Sequence, residues 1–80
     1  MSQLEYLTTY SSVDGYKFVG KPKKRITTRG KTLARAEENL VKRVLKETKG
    51  KANCVIDIRY HETLKGNIVM SGTPATIESE

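Results

Sequence analysis

Only one segment of this 80-residue chain repeats its apolar residues with the period of a helix, and that limits the fold more than any other feature. Leu33, Ala36, Leu40, Val41, Val44 and Leu45 recur at three- and four-residue spacing and form a single stripe, while Arg35, Glu38, Lys42, Arg43 and Lys46 fall elsewhere. The spacing predicts a helix from about Thr32 to Lys49, with Thr32 as its N-cap and Gly50 as its C-cap. Glu37 and Glu38 lie nearer its start than Lys46 and Lys49, the order that the helix dipole favours. One helix with one stripe covers one face of one sheet, so the remaining apolar residues must be arranged as strands beneath it.

Strand periodicity follows the helix. From Asn53 to His61, Cys54, Ile56, Ile58 and Tyr60 share one parity, and Asp57, Arg59 and His61 share the other with Val55. A half-buried strand is expected there, with the first set packed under the helix. From Asn67 to Ile77, Ile68 and Met70 have one parity and Ala75 and Ile77 the opposite one, which calls for a bulge near Gly72, Thr73 and Pro74. The connection Leu64–Lys65–Gly66–Asn67 makes these two runs a hairpin. Before the helix, a strand is expected from Tyr16 toward Thr27, interrupted or placed at an edge by Pro22. A shorter strand is expected over Leu4 to Thr9, with Asp14 and Gly15 setting the turn between the two. The predicted architecture is α+β: a single domain over residues 1–80, ordered ββαββ, with a four-stranded, mainly antiparallel sheet carrying one helix on one face and a mostly polar second face. Ser79, Glu80 and the first few residues read as loose ends.

The stretches GKANCVIDIRY (Gly50 to Tyr60), SGTPATIE (Ser71 to Glu78) and LTTYSSVDGYKF (Leu7 to Phe18) together resemble the YbjQ-like family of small heavy-metal-binding proteins. There a helix ends in a similar turn, a strand closing on an Arg-Tyr or Arg-Phe pair follows, and a final strand carries a Gly-Thr-Ala-Val run. The resemblance implies an α+β subunit that assembles into ring-like homo-oligomers, with no assigned catalysis and a suggested metal function. This chain departs from the pattern in a short basic middle segment and in Pro74, which stands where the family has a small residue.

Charge is concentrated rather than spread. Residues Gly15 to Lys31 hold Lys17, Lys21, Lys23, Lys24, Arg25, Arg29 and Lys31 with no acidic residue among them. The rest of the chain has eight basic and nine acidic groups, so this one segment accounts for the net +6. With Arg59 from the following strand, these residues are the candidate anion- or nucleic-acid-binding set, acting through phosphates and without sequence preference. Tyr16, Phe18 and Tyr60 share the inward parity, so no aromatic platform for bases is expected. A partner protein, a small anionic ligand or solubility alone are the competing uses of the same face. Gly30–Lys31–Thr32 matches the tail of a phosphate-binding loop, but Arg25 stands where that motif needs glycine.

Other chemistries find little support in the residues. Cys54, the single cysteine, closes no intramolecular disulfide and fits a reducing compartment. By parity Cys54 and His61 point to opposite faces, and Asp57 and His61, four residues apart, lie roughly 13 Å from each other along a strand. Zinc ligands sit about 2.0–2.3 Å from a shared ion, so one strand builds no metal site, and no metal or cofactor is expected. With one histidine and no carboxylate placed to orient it, no nucleophile–base pair is assembled, and the chain is read as a non-enzyme. No apolar run approaches the roughly 18 residues of a membrane span, and Met1 to Tyr10 lack a secretion signal, so a cytoplasmic homo-oligomer is expected. So short a chain has a thin core that association would stabilise, with the edge near Pro22 and the uncovered sheet face as contact surfaces.

Overall fold

Six strands and one helix form in the order β1 (Tyr6–Leu7), β2 (Tyr16–Phe18), β3 (Ile26–Gly30), α1 (Leu33–Glu47), β4 (Cys54–Glu62), β5 (Ile68–Ala75) and β6 (Ile77–Ser79). The structure, a computed structural model, describes Leu4 and residues 6–80. The part of the expected first strand at Glu5 and the loose end at Met1 to Gln3 lie outside the described residues.

The helix forms where its period places it. The Thr32 hydroxyl accepts a hydrogen bond from the Arg35 N–H at 3.1 Å, as an N-cap should. At the other end the C-cap is Thr48, and Lys49 takes a left-handed φ of 56°. The Gly50 N–H reaches back to the Leu45 carbonyl at 2.8 Å and the Lys49 N–H to that of Lys46 at 3.3 Å, the paired bonds of a Schellman ending. Gly50 therefore lies two residues beyond the cap assigned to it. Ala36, Leu40 and Val44 are buried, whereas Leu33 is exposed and Val41 and Leu45 are half-buried. Fully burying a side chain such as Leu40 or Val44 contributes about 1.5–3 kcal/mol.

The sheet beneath is mixed. Its order is β1-β4-β5-β3, with β4 and β3 each antiparallel to β5 and with β1 parallel to β4. β3 and β4 thus run the same way with β5 between them, and α1 crosses over from one to the other. The hairpin of β4 and β5 closes through Thr63 and Asn67, whose N–H and carbonyl meet at 2.8 Å, with Gly66 at φ 85°. The single strand expected from Tyr16 toward Thr27 is two strands in two sheets, and Pro22 lies between them, at no strand edge. Gly20, at φ 77°, is where the chain leaves β2. β2 pairs antiparallel with β6 in a separate two-stranded sheet, so Ser79 is a strand residue and the Glu80 N–H bonds the Gly15 carbonyl at 3.1 Å. The order ββαββ is corrected to three strands on either side of the helix.

The bulge falls on β4, not near Gly72 to Pro74. Ile56 pairs with Thr73 and Arg59 with Ser71, so two residues on β4 oppose one on β5, and Asp57 takes a left-handed φ of 56°. The extra residue changes the parity partway along the strand. Val55 and, beyond the bulge, Ile58 pack with Met70, Ala36, Leu40 and Val44 under the helix. Cys54 and Ile56 face the other way, into a second cluster with Ile77, Tyr6, Val13 and Tyr16. The expectation that Cys54, Ile56 and Ile58 share the helix side is therefore overturned, and the second face is apolar at one end rather than polar throughout. The Tyr6 and Tyr16 hydroxyls hydrogen-bond each other over this second cluster, with the rings tilted at 55° and 4.9 Å apart.

Arg25 ties the bulge to its neighbours. Its Nη2 donates to the Asp57 carbonyl at 2.8 Å and its Nε to the Ser71 hydroxyl at 3.0 Å, so the guanidinium spans from the start of β3 across β5 to β4. Aspartate tolerates left-handed backbone and a β-branched residue does not. Asp57→Val is expected to cost about 1–2 kcal/mol through backbone alone, whereas Asp57→Asn keeps the conformation and loses only exposed ion pairs worth about 0–1 kcal/mol. Urea unfolding of the two variants should rank them in that order; equal midpoints would mean that the bulge is not held by its backbone conformation.

A second close approach fixes the helix on the sheet. A Cβ at Gly30 would lie 2.5 Å from the Ala36 nitrogen and 2.9 Å from the Arg35 carbonyl carbon, both backbone atoms of α1. A Cβ at Gly72 would lie 2.4 Å from Cγ1 of the buried, β-branched Val55 and 3.2 Å from Cγ1 of Ile58, in the core under the helix. Gly30→Ala and Gly72→Ala should therefore each destabilise by about 2–3 kcal/mol, the upper part of the overpacking range, the first by pushing the helix backbone off β3 and the second by displacing Val55. An unchanged midpoint for Gly30→Ala in thermal or urea unfolding would show that the helix can lift from β3.

Candidate interaction surfaces

The eight basic residues singled out in the sequence do not form one patch. Lys17, on β2, is paired with Glu78 of β6 at 3.4 Å. Arg25 is occupied at the bulge, 3.9 Å from an Asp57 carboxylate oxygen, and Arg59 lies 3.7 Å from the other. Lys21, Lys23 and Lys24 are exposed on the segment between β2 and β3, Arg29 is exposed on β3, and Lys31 is exposed just before α1. The N–H of Arg35, one of those free to hold an anion at the helix start, is taken by the Thr32 hydroxyl. The structure instead brings three helix residues absent from that set, Lys42, Arg43 and Lys46, to the Thr28–Arg29 side of β3. Their spacing along α1 was readable, but which flank of the helix lies beside β3 is decided by packing.

Lys42 and Arg43 are partly neutralised. Lys42 sits 3.1 Å from Glu38, and Arg43 sits 3.0 Å from Glu47. The hydrogen bond from Lys42, then its charge and that of Arg35, hold the Glu38 carboxyl below the usual carboxylate range.

The opposite side of the sheet has a different character. The N-terminal segment covers β4 only as far as its bulge: the Thr8 N–H bonds the Val55 carbonyl at 3.0 Å, while the Asp57 and Ile58 N–H groups bond the carbonyls of Tyr10 at 2.8 Å and Thr8 at 3.1 Å. Alternation turns the N–H and carbonyl of Tyr60 and Glu62 toward the same side as those of Ile58, and no strand formed by the described residues lies there. Beside this open edge is a shallow groove of about 190 Å³ on the helix side, with Ile58 and Met70 among its lining. Leu7, Leu33 and Tyr60 around it are 40%, 43% and 57% exposed. Tyr60, expected to point inward, is thus a surface aromatic, and Leu33 is the end of the helix stripe left without cover.

The bulge also changes the metal argument. Past the parity change Cys54 and His61 lie on the same face, and what separates them is roughly 20 Å of strand. Asp57, on the bulge between them, faces Arg25 and Arg59. Among the described residues no three His, Cys, Asp or Glu side chains gather as metal ligands, and no helix is long and apolar enough to cross a membrane. No protein-family model matches the chain, and no curated protein matches it.

Cys54 is fully buried, and burial pushes its thiol above the ordinary cysteine range. The reactive thiolate is suppressed both by access and by protonation. Native protein at pH 8 is expected to react with a thiol-alkylating reagent only as fast as it unfolds, and immediately in denaturant. Rapid labelling of the native protein would contradict the placement of Cys54 between the two sheets.

Proposed function

We infer that the chain is a non-enzymatic, cytoplasmic interaction module of YbjQ-like type that works as a homo-oligomer. The observation that carries this reading is the open β4 edge beyond Ile58, flanked by Leu7, Leu33 and Tyr60. Bare strand edges are templates for pairing with another chain, and proteins that remain monomeric cover or charge them. Here the apolar groove beside the edge adds side-chain burial to the main-chain bonds, the combination used in strand addition. Tyrosine with an apolar ring and a polar tip is favoured at such contacts. The thin core of an 80-residue chain gives association a further stabilising role.

The YbjQ-like part of the reading rests on the residues GKANCVIDIRY and SGTPATIE, which run along β4 and from β5 into β6 after the helix. Cys54 is buried, and His61 is exposed some distance along the same strand, an arrangement suited to packing and solvation rather than catalysis.

Light scattering coupled to size-exclusion chromatography tests the reading directly. The parent protein should elute as a species of several subunits, and Tyr60→Lys combined with Leu33→Glu should shift it to smaller species with the same far-ultraviolet circular dichroism. A parent that is strictly monomeric across the accessible concentration range removes the proposal, as does a variant that assembles unchanged.

A further inference from the structure

A second surface, at the opposite edge of the sheet, has its own chemistry. Between β3 and α1 lie two shallow depressions, side by side, that share Arg43 in their lining and together make a groove. One stretch, of about 380 Å³, has Lys23, Lys24 and Thr27 on one wall and Arg43 and Glu47 on the other. The next, of about 350 Å³, is lined by Thr28 and Arg29 of the edge strand and by Asn39, Lys42, Arg43 and Lys46 of the helix.

The cations differ in what they have available. Arg43 and Lys42 are paired with Glu47 and Glu38, and Arg25 is held at the bulge. Among the described residues, Lys23, Lys24, Arg29 and Lys46 have no acidic partner. Backbone donors add to them. The Pro74 carbonyl, turned toward β3, accepts the Lys23 N–H at 2.9 Å, and the Arg29 carbonyl, turned away from β5, accepts the Asn39 amide at 2.8 Å. Alternation along an antiparallel strand therefore directs the Thr27 and Arg29 N–H groups outward at the groove as well.

We propose that this groove binds the phosphodiester backbone of a nucleic acid without sequence preference. The four unpaired cations are strung along it rather than converging on a point. From Lys23 to Arg29 the chain reaches at most about 20 Å, the length of about six stacked nucleotides at 3.4 Å each. A compact anion would meet one or two of these groups, whereas a linear polyanion meets them in turn. No aromatic residue lines either stretch, so bases have nothing to stack on and affinity rests on phosphates. The site differs from the sequence-derived set on both counts: it gains α1 residues and loses Lys17 and Arg59.

Fluorescence anisotropy with a labelled 12-nucleotide single strand of mixed sequence, and with its duplex, tests the site. At least one probe should bind at low salt. For the single strand the slope of log K against log salt should be about −3, from four phosphate contacts at 0.7 each. The variant Lys23→Ala/Lys24→Ala/Lys46→Ala should lose at least tenfold in affinity at low salt and flatten that slope to about −1, by the same 0.7 for each contact removed. Lys17→Ala/Arg59→Ala/Lys65→Ala, which removes the same charge elsewhere, should leave both nearly unchanged. Absence of binding to either probe, equal loss from the two triple variants, or equally tight binding of a labelled oligoglutamate of matching charge would each overturn the assignment. Circular dichroism should show that the variants remain folded, since all of the substituted side chains are exposed.

Discussion

The one extra residue at Asp57 is the constraint on which the rest of the fold turns. In a regular strand, the parity that places Val55 under the helix would also bring Asp57, Arg59 and His61 there, burying charge against Leu40 and Met70 at a cost of several kcal/mol per unpaired ion. The bulge lets Val55 and Ile58 both reach the helix side while Arg59 and His61 stay out. It also lets adjacent residues, Val55 and Ile56, serve two different cores. The same place decides how far the N-terminal segment can follow β4. Thr8 and Tyr10 satisfy the N–H groups of Ile58 and Asp57, and beyond that point no strand among the described residues pairs with the β4 edge.

The helix could be read in the sequence because its signals agree: a 3.6-residue stripe, a hydroxyl cap and a glycine shortly after its end. The β4–β5 hairpin and the Asp14–Gly15 turn were legible for the same reason, as local chemistry with a local result. The bulge was not, since aspartate enters left-handed backbone without the glycine that would announce it, and the apolar letters at Cys54, Ile56 and Ile58 satisfied a simple alternation. The opposite parities of Met70 and Ala75 did report a change of face along the hairpin, but sequence cannot say which of two paired strands carries the extra residue. The separation of β2 from β3 had visible punctuation in Gly20 and Pro22. The pairing of β2 with β6, some sixty residues away in the chain, had none.

Charge shows the same division between count and place. The excess of lysine and arginine before the helix was plain, yet its members are dispersed by three different partners: Glu78 for Lys17, Asp57 for Arg25, and the α1 flank for Arg29. Lys42, Arg43 and Lys46 looked like a solvated helix face. They remain solvated, but the packing of Ala36, Leu40 and Val44 rotates them toward β3 and makes them one wall of a groove. A helix with a slightly different set of buried positions would have turned the same residues to open water.

The two edges of the main sheet are handled in opposite ways, and this makes the two proposed surfaces compatible. At β3 the Asn39 amide occupies the Arg29 carbonyl, and cations crowd the approach, so a second strand is discouraged there. At β4 the edge is open and its flank apolar. Subunits joined through β4 edges would keep every β3 groove exposed. A groove with four free cations alone reaches only the weak, salt-sensitive affinity of nonspecific binders, with dissociation constants of about 10⁻⁴ to 10⁻⁶ M. Several such grooves on one assembly would engage a single strand at high effective concentration, and linking sites in this way raises affinity by about 10²–10⁴ without any new contact. If both proposals hold, association at one edge would be the physical means by which a shallow electrostatic groove at the other becomes a firm grip on a long polyanion.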